Sequence, residues 1–152
     1  MSAQPAVNED LELKRYEQVH SQYIKQIKVL DDRMDSLAPY EIAKLEYLYT
    51  KAERIAWNIA GFYKKQYKYY EGMAEISQGL EYKAVRKGEV EEKMTSGVDG
   101  QYLSRISKGR MLTQAAEYEG DFLTWKGVAG TYERAANALK DIMKAIEKQG
   151  GE

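Results

Sequence analysis

The chain has 152 residues and a mass of 17.5 kDa, which is enough for one domain with its own hydrophobic core. It carries 23 Lys and Arg against 24 Asp and Glu, and the resulting net charge of -1 excludes a general positive field that would attract nucleic acid or membrane. Any basic surface must therefore be local. Cysteine is absent, which excludes disulfides, thiolate metal sites and a cysteine nucleophile.

The start of the chain, MSAQPAVNED, is polar to acidic and lacks the apolar region of a secretory signal. No run of residues reaches the roughly 18 apolar residues of a membrane span. We therefore expect a cytoplasmic protein with no membrane partner. Residues 1–8 are predicted to be a flexible tail, 9–148 a single helical domain, and 149–152 a frayed tail.

The first predicted helix covers about residues 9–36, with Asn8 as its N-cap, because apolar residues recur at steps of three and four. This seam consists of Leu13, Tyr16, His20, Tyr23, Ile27, Leu30, Met34 and Leu37. Pro39 follows in SLAPYE, where it interrupts one helix and suits the first turn of the next. A tight helix–helix connection is predicted there.

The second predicted helix covers about residues 40–84, roughly 60 Å at the helical rise. Its seam has the same step and comprises Leu45, Leu48, Ala52, Ile55, Ile59, Phe62, Gln66, Tyr69, Met73, Ile76 and Leu80. Residues 86–100, RKGEVEEKMTSGVDG, contain three glycines and no sustained apolar step. They predict a flexible acidic loop.

The third predicted helix covers about residues 101–148. Its seam is Met111, Ala115, Tyr118, Phe122, Trp125, Ala129, Tyr132, Ala136, Leu139, Met143 and Ile146. Its interior glycines each cost about 1 kcal/mol in helix propensity, which suggests kinks or close approach by a partner helix.

The three seams predict an all-α protein, built as a helical hairpin or bundle with coiled-coil-like packing. Three long seams in a short chain expose more apolar surface than one bundle easily hides, so we expect a homo-oligomer. The predicted interface follows the third seam and contains Phe122, Trp125, Tyr132, Leu139, Met143 and Ile146.

Catalytic chemistry finds little support in the sequence. The single histidine, His20, stands at a seam position, where a packed or hydrogen-bonded residue is the simpler interpretation than a ligand or a base. Acid pairs occur at Asp31 with Asp32 and at Glu91 with Glu92, as they often do on solvated surfaces. We expect no enzyme activity, no metal site and no cofactor, since metal-ligand spacings and phosphate-binding loops are missing.

Basic residues line one flank of the second helix, off its apolar seam. The predicted nucleic-acid-binding residues are Lys44, Lys51, Arg54, Lys65 and Lys68, with Lys64 just beyond the edge of the stripe. The stripe also includes Tyr47 and covers about 36 Å at the helical rise. The alternative is a solvated face, or one that pairs with acids of another helix such as Asp31, Asp32 and Asp35.

The stretch FYKKQYKYYEG, residues 62–72, combines basic and aromatic side chains in the way that a single-stranded nucleic acid requires. Tyr49, Tyr63 and Tyr70, however, recur in heptad register beside the apolar seam, at spacings of fourteen and seven residues. We therefore interpret these tyrosines as packing residues and the lysines as the functional part.

The segment KKQYKYYEG, followed after a polar loop by SRISKGRMLTQAAEYEGDFL and a final amphipathic helix, resembles the phage recombination mediator family typified by UvsY. The likeness covers roughly residues 45–146. In that family a basic pair on the central helix precedes a Tyr-Tyr-x-Gly element and is assigned to DNA binding. Lys64 matches the first of the pair, Tyr69, Tyr70 and Gly72 match the element, and Gln66 departs from the second basic position.

The resemblance implies a small helical oligomer that helps to load a recombinase onto single-stranded DNA coated with single-strand-binding protein. Its partners would be single-stranded DNA, the recombinase, the single-strand-binding protein and further copies of itself, in the host cytoplasm if a phage encodes it. The alternative hypothesis is a helical scaffold or interaction protein, such as a virion or anti-defence component, that does not bind nucleic acid.

Overall fold

The computed structural model describes residues 7–86 and 97–150. They form three α-helices, α1 (Val7–Asp31), α2 (Pro39–Arg86) and α3 (Gly97–Gly150), with one 3-10 turn (Met34–Ser36) between α1 and α2. No strand occurs within the described ranges. The predicted all-α class, with helices packed as a hairpin and bundle, is confirmed.

Helix α1 ends at Asp31, about five residues before the predicted end, although the apolar step continues. Aspartates at 31, 32 and 35 compete with the helical hydrogen bonds, because short acidic side chains favour turns. The chain therefore passes through a turn and a 3-10 turn, while Met34 and Leu37 still pack against the core. The apolar period correctly indicated which side chains are buried but not where the α-helix stops.

The carboxylate of Glu41 stabilises the connection from α1 to α2. Pro39 is the first residue of α2, as predicted, and the Ala38 N–H donates to Glu41 Oε1 at 3.1 Å. Arg33 Nη2 donates to the other oxygen of Glu41 at 2.8 Å. The backbone donor at Ala38, followed by Arg33, lowers the pKa of Glu41, so this corner keeps its charged acceptor down to acidic pH.

The flexible loop predicted for 86–100 falls mainly on residues 87–96, which lie outside the described residues. Arg86 belongs to α2 and residues 97–100 belong to α3, so both helices extend beyond their predicted ends. Most of the two predicted tails also lies outside the described residues, while residues 7–8 begin α1 and residues 149–150 end α3.

The chain divides into two units. Unit 1 comprises residues 1–62 and 122–152, and unit 2 comprises residues 63–121. In unit 1, α1 and segments of α2 and α3 share a core. Its buried members are Ile27, Leu30, Ile42, Leu45, Leu48, Ala52 and Leu139, covered by Tyr23, Ile24, Met34, Leu37, Tyr49, Tyr132, Met143 and Ile146.

Unit 2 is an antiparallel pair formed by the end of α2 and the start of α3. The ring of Tyr70 stacks on that of Tyr118, with centroids 5.5 Å apart and planes at 19°. Further along, the Ser77 and Ser107 hydroxyls hydrogen-bond, and Lys108 Nζ lies 2.7 Å from Glu75 Oε1. Small residues, Ala74 and Ala115, fill the buried space between the two segments.

The seams predicted for α1 and α3 are confirmed, since every member is buried or half-buried. Beyond Gln66 the α2 seam is wrong at three of its four members: Tyr69, Ile76 and Leu80 are exposed and Met73 is half-buried, whereas Tyr70 and Ala74, off the seam, are buried. A strict seven-residue step drifts about 20° per heptad from the 3.6-residue period of a straight helix. After several heptads the inward face of α2 has moved one position along the sequence.

This shift predicts that alanine substitutions at two adjacent tyrosines destabilise the protein to different extents. Tyr70, 3% exposed, contacts Tyr118, whereas Tyr69 is 49% exposed. We expect Tyr70→Ala to lower the free energy of unfolding by about 3 to 5 kcal/mol, as for other buried aromatic truncations. Tyr69→Ala loses only an edge contact with Tyr70, worth less than about 1.5 kcal/mol. Urea unfolding of both variants checks this, and equal losses would contradict the assigned face.

Candidate nucleic-acid interface

The six predicted binding residues are distributed over both units. Lys44, Lys51 and Arg54 belong to unit 1, and Lys64, Lys65 and Lys68 belong to unit 2. Lys51 is half-exposed and the other five are exposed.

In unit 1 basic residues are interspersed with exposed aromatic residues along α2. The sequence of this basic-aromatic row is Tyr40, Lys44, Tyr47, Lys51, Arg54 and Trp57. Successive members are three or four residues apart, so each is a neighbour of the next on the helix surface, and the row turns by about 100° around α2 from Tyr40 to Trp57. Tyr40, Tyr47 and Trp57 are 73%, 57% and 42% exposed, so their rings are open to a ligand. The row spans about 25 Å at the helical rise.

The cations of the row are available for an external anion. Within the described residues, neither Lys44 nor Arg54 makes a hydrogen bond or an ion pair. Lys51 Nζ lies 5.2 Å from the centre of the Tyr47 ring, a cation–π contact. The nearby carboxylate of Glu41 is already bound by Ala38 and Arg33.

In unit 1 the basic residues do not form ion pairs with the aspartates at and after the end of α1, which was the alternative interpretation of the stripe. Asp31 accepts a long hydrogen bond, 3.5 Å, from the Tyr49 hydroxyl. No ion pair joins Asp31, Asp32 or Asp35 to the row within the described residues. A solvated face therefore remains as the competing interpretation of this surface.

Sequence reasoning missed Tyr40 and Trp57. The sequence assigns Tyr49, Tyr63 and Tyr70 to packing and gives Tyr40 and Trp57 no role. A position off the apolar seam does not by itself identify an exposed ring, since Tyr67 and Tyr70 are also off the seam and are buried.

In unit 2 the lysines make more contacts within the chain than the basic residues of unit 1 do. Lys68 Nζ lies 3.4 Å from Glu71 Oε2 and 5.1 Å from the centre of the Tyr67 ring. The hydrogen bond with Glu71, followed by its charge, raises the pKa of Lys68. Lys64 and Lys65 also take part in contacts of their own. This set offers positive charge, but an incoming phosphate must compete with partners already present.

The tyrosines of the FYKKQYKYYEG stretch separate into two groups. The rings of Tyr63 and Tyr70 both approach Tyr118 of α3, at 6.2 and 5.5 Å between centroids. The prediction that these two residues pack is confirmed. Tyr69, predicted to be on the seam, faces solvent.

The predicted oligomer-interface residues lie against the rest of their own unit. Leu139 is 5% exposed within the core of unit 1, and Tyr132, Met143 and Ile146 pack against that core. Trp125 approaches His20 of α1 edge-on, and Phe122 is also half-buried. Whether copies associate through this stripe stays a prediction, and Leu139→Asp would damage the core of the single chain as well.

His20 is held between aromatic rings, as a packed, hydrogen-bonded histidine. Its Nε2 lies 2.8 Å from the Tyr132 hydroxyl oxygen, and the Trp125 ring meets it edge-on at 5.0 Å between centroids. Partial burial lowers the pKa of His20, which favours the neutral ring. The interpretation of His20 as a packing residue is confirmed.

The described residues contain no group of three or more His, Cys, Asp or Glu side chains arranged to hold a metal ion. None of the described helices combines the length and apolar character that a bilayer crossing requires. Comparisons with protein-family models, curated proteins and solved structures gave no match to this chain. The likeness to recombination mediators therefore stays a prediction from sequence motifs.

The environment of His20 predicts acid sensitivity in unit 1. Because folding lowers its pKa below the usual 6.5, the unfolded chain binds more protons as the pH falls through this range. Stability present above 6.5 is lost as the pH falls toward the lowered value. The urea midpoint should fall from about pH 7.5 to about pH 5.5 more in the parent than in His20→Gln. Identical pH dependence in both proteins would contradict this assignment.

Proposed function

We propose that this protein is a non-enzymatic mediator that binds single-stranded DNA and helps to load a recombinase onto it. The observation that supports this function best is the basic-aromatic row of unit 1. Its three cations suit phosphates and its exposed rings suit bases, which are the two components of sequence-independent single-strand recognition. The resemblance of residues 64–72 to a mediator family supplies the recombination role.

Binding by one row is expected to be weak, because only three cations contribute. Assembly of copies would present several rows to one strand and raise the overall affinity through effective concentration. A homo-oligomer therefore forms part of the proposal. The recombinase and the single-strand-binding protein enter it only through the family resemblance.

The second candidate is a helical scaffold whose exposed faces bind other proteins. Apolar side chains exposed in unit 2, Ile76, Leu80, Ile106 and Leu112, favour this candidate because they suit a protein partner better than a phosphate backbone. Retention of single-stranded DNA by the purified protein at moderate salt separates the two functions.

The first test replaces the cations of the row by Lys44→Gln, Lys51→Gln and Arg54→Gln together. We expect weaker binding to a labelled oligonucleotide and a salt slope smaller by about 2, since each phosphate contact with a single strand contributes about 0.7. Fluorescence anisotropy at several salt concentrations between about 50 and about 200 mM measures both quantities.

A matched control removes the same charge from α1 through Lys14→Gln, Lys25→Gln and Lys28→Gln, all of which are exposed. If the control loses as much affinity as the row variant, general charge rather than the row explains binding. Lys65→Ala with Lys68→Ala tests the unit 2 lysines by the same assay. The change in salt slope per cation removed is expected to be smaller than in the row variant, because Lys68 already has an acidic partner.

The assembly is tested separately. We expect light scattering at micromolar concentration to give a mass that is a multiple of 17.5 kDa. A monomer mass across the concentration range would remove the repeated-row argument, although binding by a single row would still be measurable.

A further inference from the structure

We propose that Tyr40 and Trp57, at the two ends of the row, stack on nucleic-acid bases, so that the protein selects unpaired strands by their bases as well as their charge. This inference rests on the proposed function, which supplies the single strand as ligand. It adds a specificity that phosphate neutralisation alone does not provide, because a duplex carries phosphates at higher density.

The first supporting observation is that the rings of Tyr40 and Trp57 are open to solvent. Neither Tyr40 nor Trp57 makes a ring contact or a hydrogen bond within the described residues. Trp57 is 42% exposed and Tyr40 is 73% exposed. By contrast, Tyr47 in the middle of the row has Lys51 over its ring, which leaves that face less open to a base.

The second support is the placement of charge beside these rings. Lys44 is one turn from Tyr40, and Arg54 is one turn from Trp57. A phosphate held by either cation therefore lies close to a ring on which an adjoining base can stack. Charge complementarity selects a polyanion as the occupant of this face, and exposed rings select one whose bases are unpaired.

A solvated face without function is the competing interpretation of this row. Single exposed aromatic residues are common and need no explanation. Here each of the two open rings stands one turn from a cation, Lys44 for Tyr40 and Arg54 for Trp57, while Glu53 is also one turn from Trp57. The pairing of a ring with a cation at both ends of the row is what favours a single strand over water as the occupant.

The experiment compares a base-bearing oligonucleotide with an abasic one of equal length, which has the same phosphates and no stacking surface. We expect the parent to prefer the base-bearing strand, and Trp57→Ala to bind that strand about 5- to 150-fold more weakly, which corresponds to the usual loss of about 1 to 3 kcal/mol for one base-stacking contact. Trp57→Ala should bind the abasic strand as the parent does, with an unchanged salt slope. Trp57→Phe, which keeps a ring, should restore most of the preference.

Tyr40→Ala is tested in the same way, since Tyr40 is the most exposed ring of the row. A parent that binds both strands equally overturns base stacking and leaves the mediator proposal intact. A Trp57→Ala variant that keeps the full preference also overturns the role of Trp57. A parent that binds neither strand overturns the proposed function itself, so the two failures are distinguishable.

Discussion

Burial of a single apolar stripe along α3 is the interaction on which both units depend. In unit 2 this stripe presents Tyr118 to Tyr63 and Tyr70 of α2. In unit 1 the same stripe presents Tyr132 and Leu139 to side chains of α1 and α2. Because one continuous helix supplies both cores, a seven-residue pattern along α3 is sufficient to organise most of the chain.

The α3 stripe, the α1 seam and the start of α2 at Pro39 could be predicted because each depends on local periodicity or on the chemistry of one residue. The inward face of α2 beyond Gln66 could not, since the burial of Tyr70 and Ala74 departs there from the heptad extrapolated from the first half of the helix. The candidate site was predicted in part. Its cations were visible as an acid-free flank, whereas Trp57 became informative only when its exposure was known.

The row also shows how a protein of net charge -1 can offer a basic surface. Glu41, one turn from Lys44, holds the corner between α1 and α2 by accepting from Arg33 and from the backbone of Ala38. Because both oxygens of this carboxylate already accept hydrogen bonds, it competes less with an incoming phosphate for the neighbouring ammonium. Local sorting of charge, rather than overall composition, therefore determines whether a polyanion is attracted to this face.

The two units differ in how much apolar material they bury. Unit 1 encloses large aliphatic side chains such as Leu45 and Ile59, while the space between the helices of unit 2 is filled mainly by rings, alanines and a buried serine, Ser104. Local opening is easier where fewer apolar contacts are lost. Amide hydrogens of unit 2 should accordingly exchange with solvent sooner than those of unit 1. The chain would then carry a gradient of local stability along α2, with the face that bears the row at its more protected end.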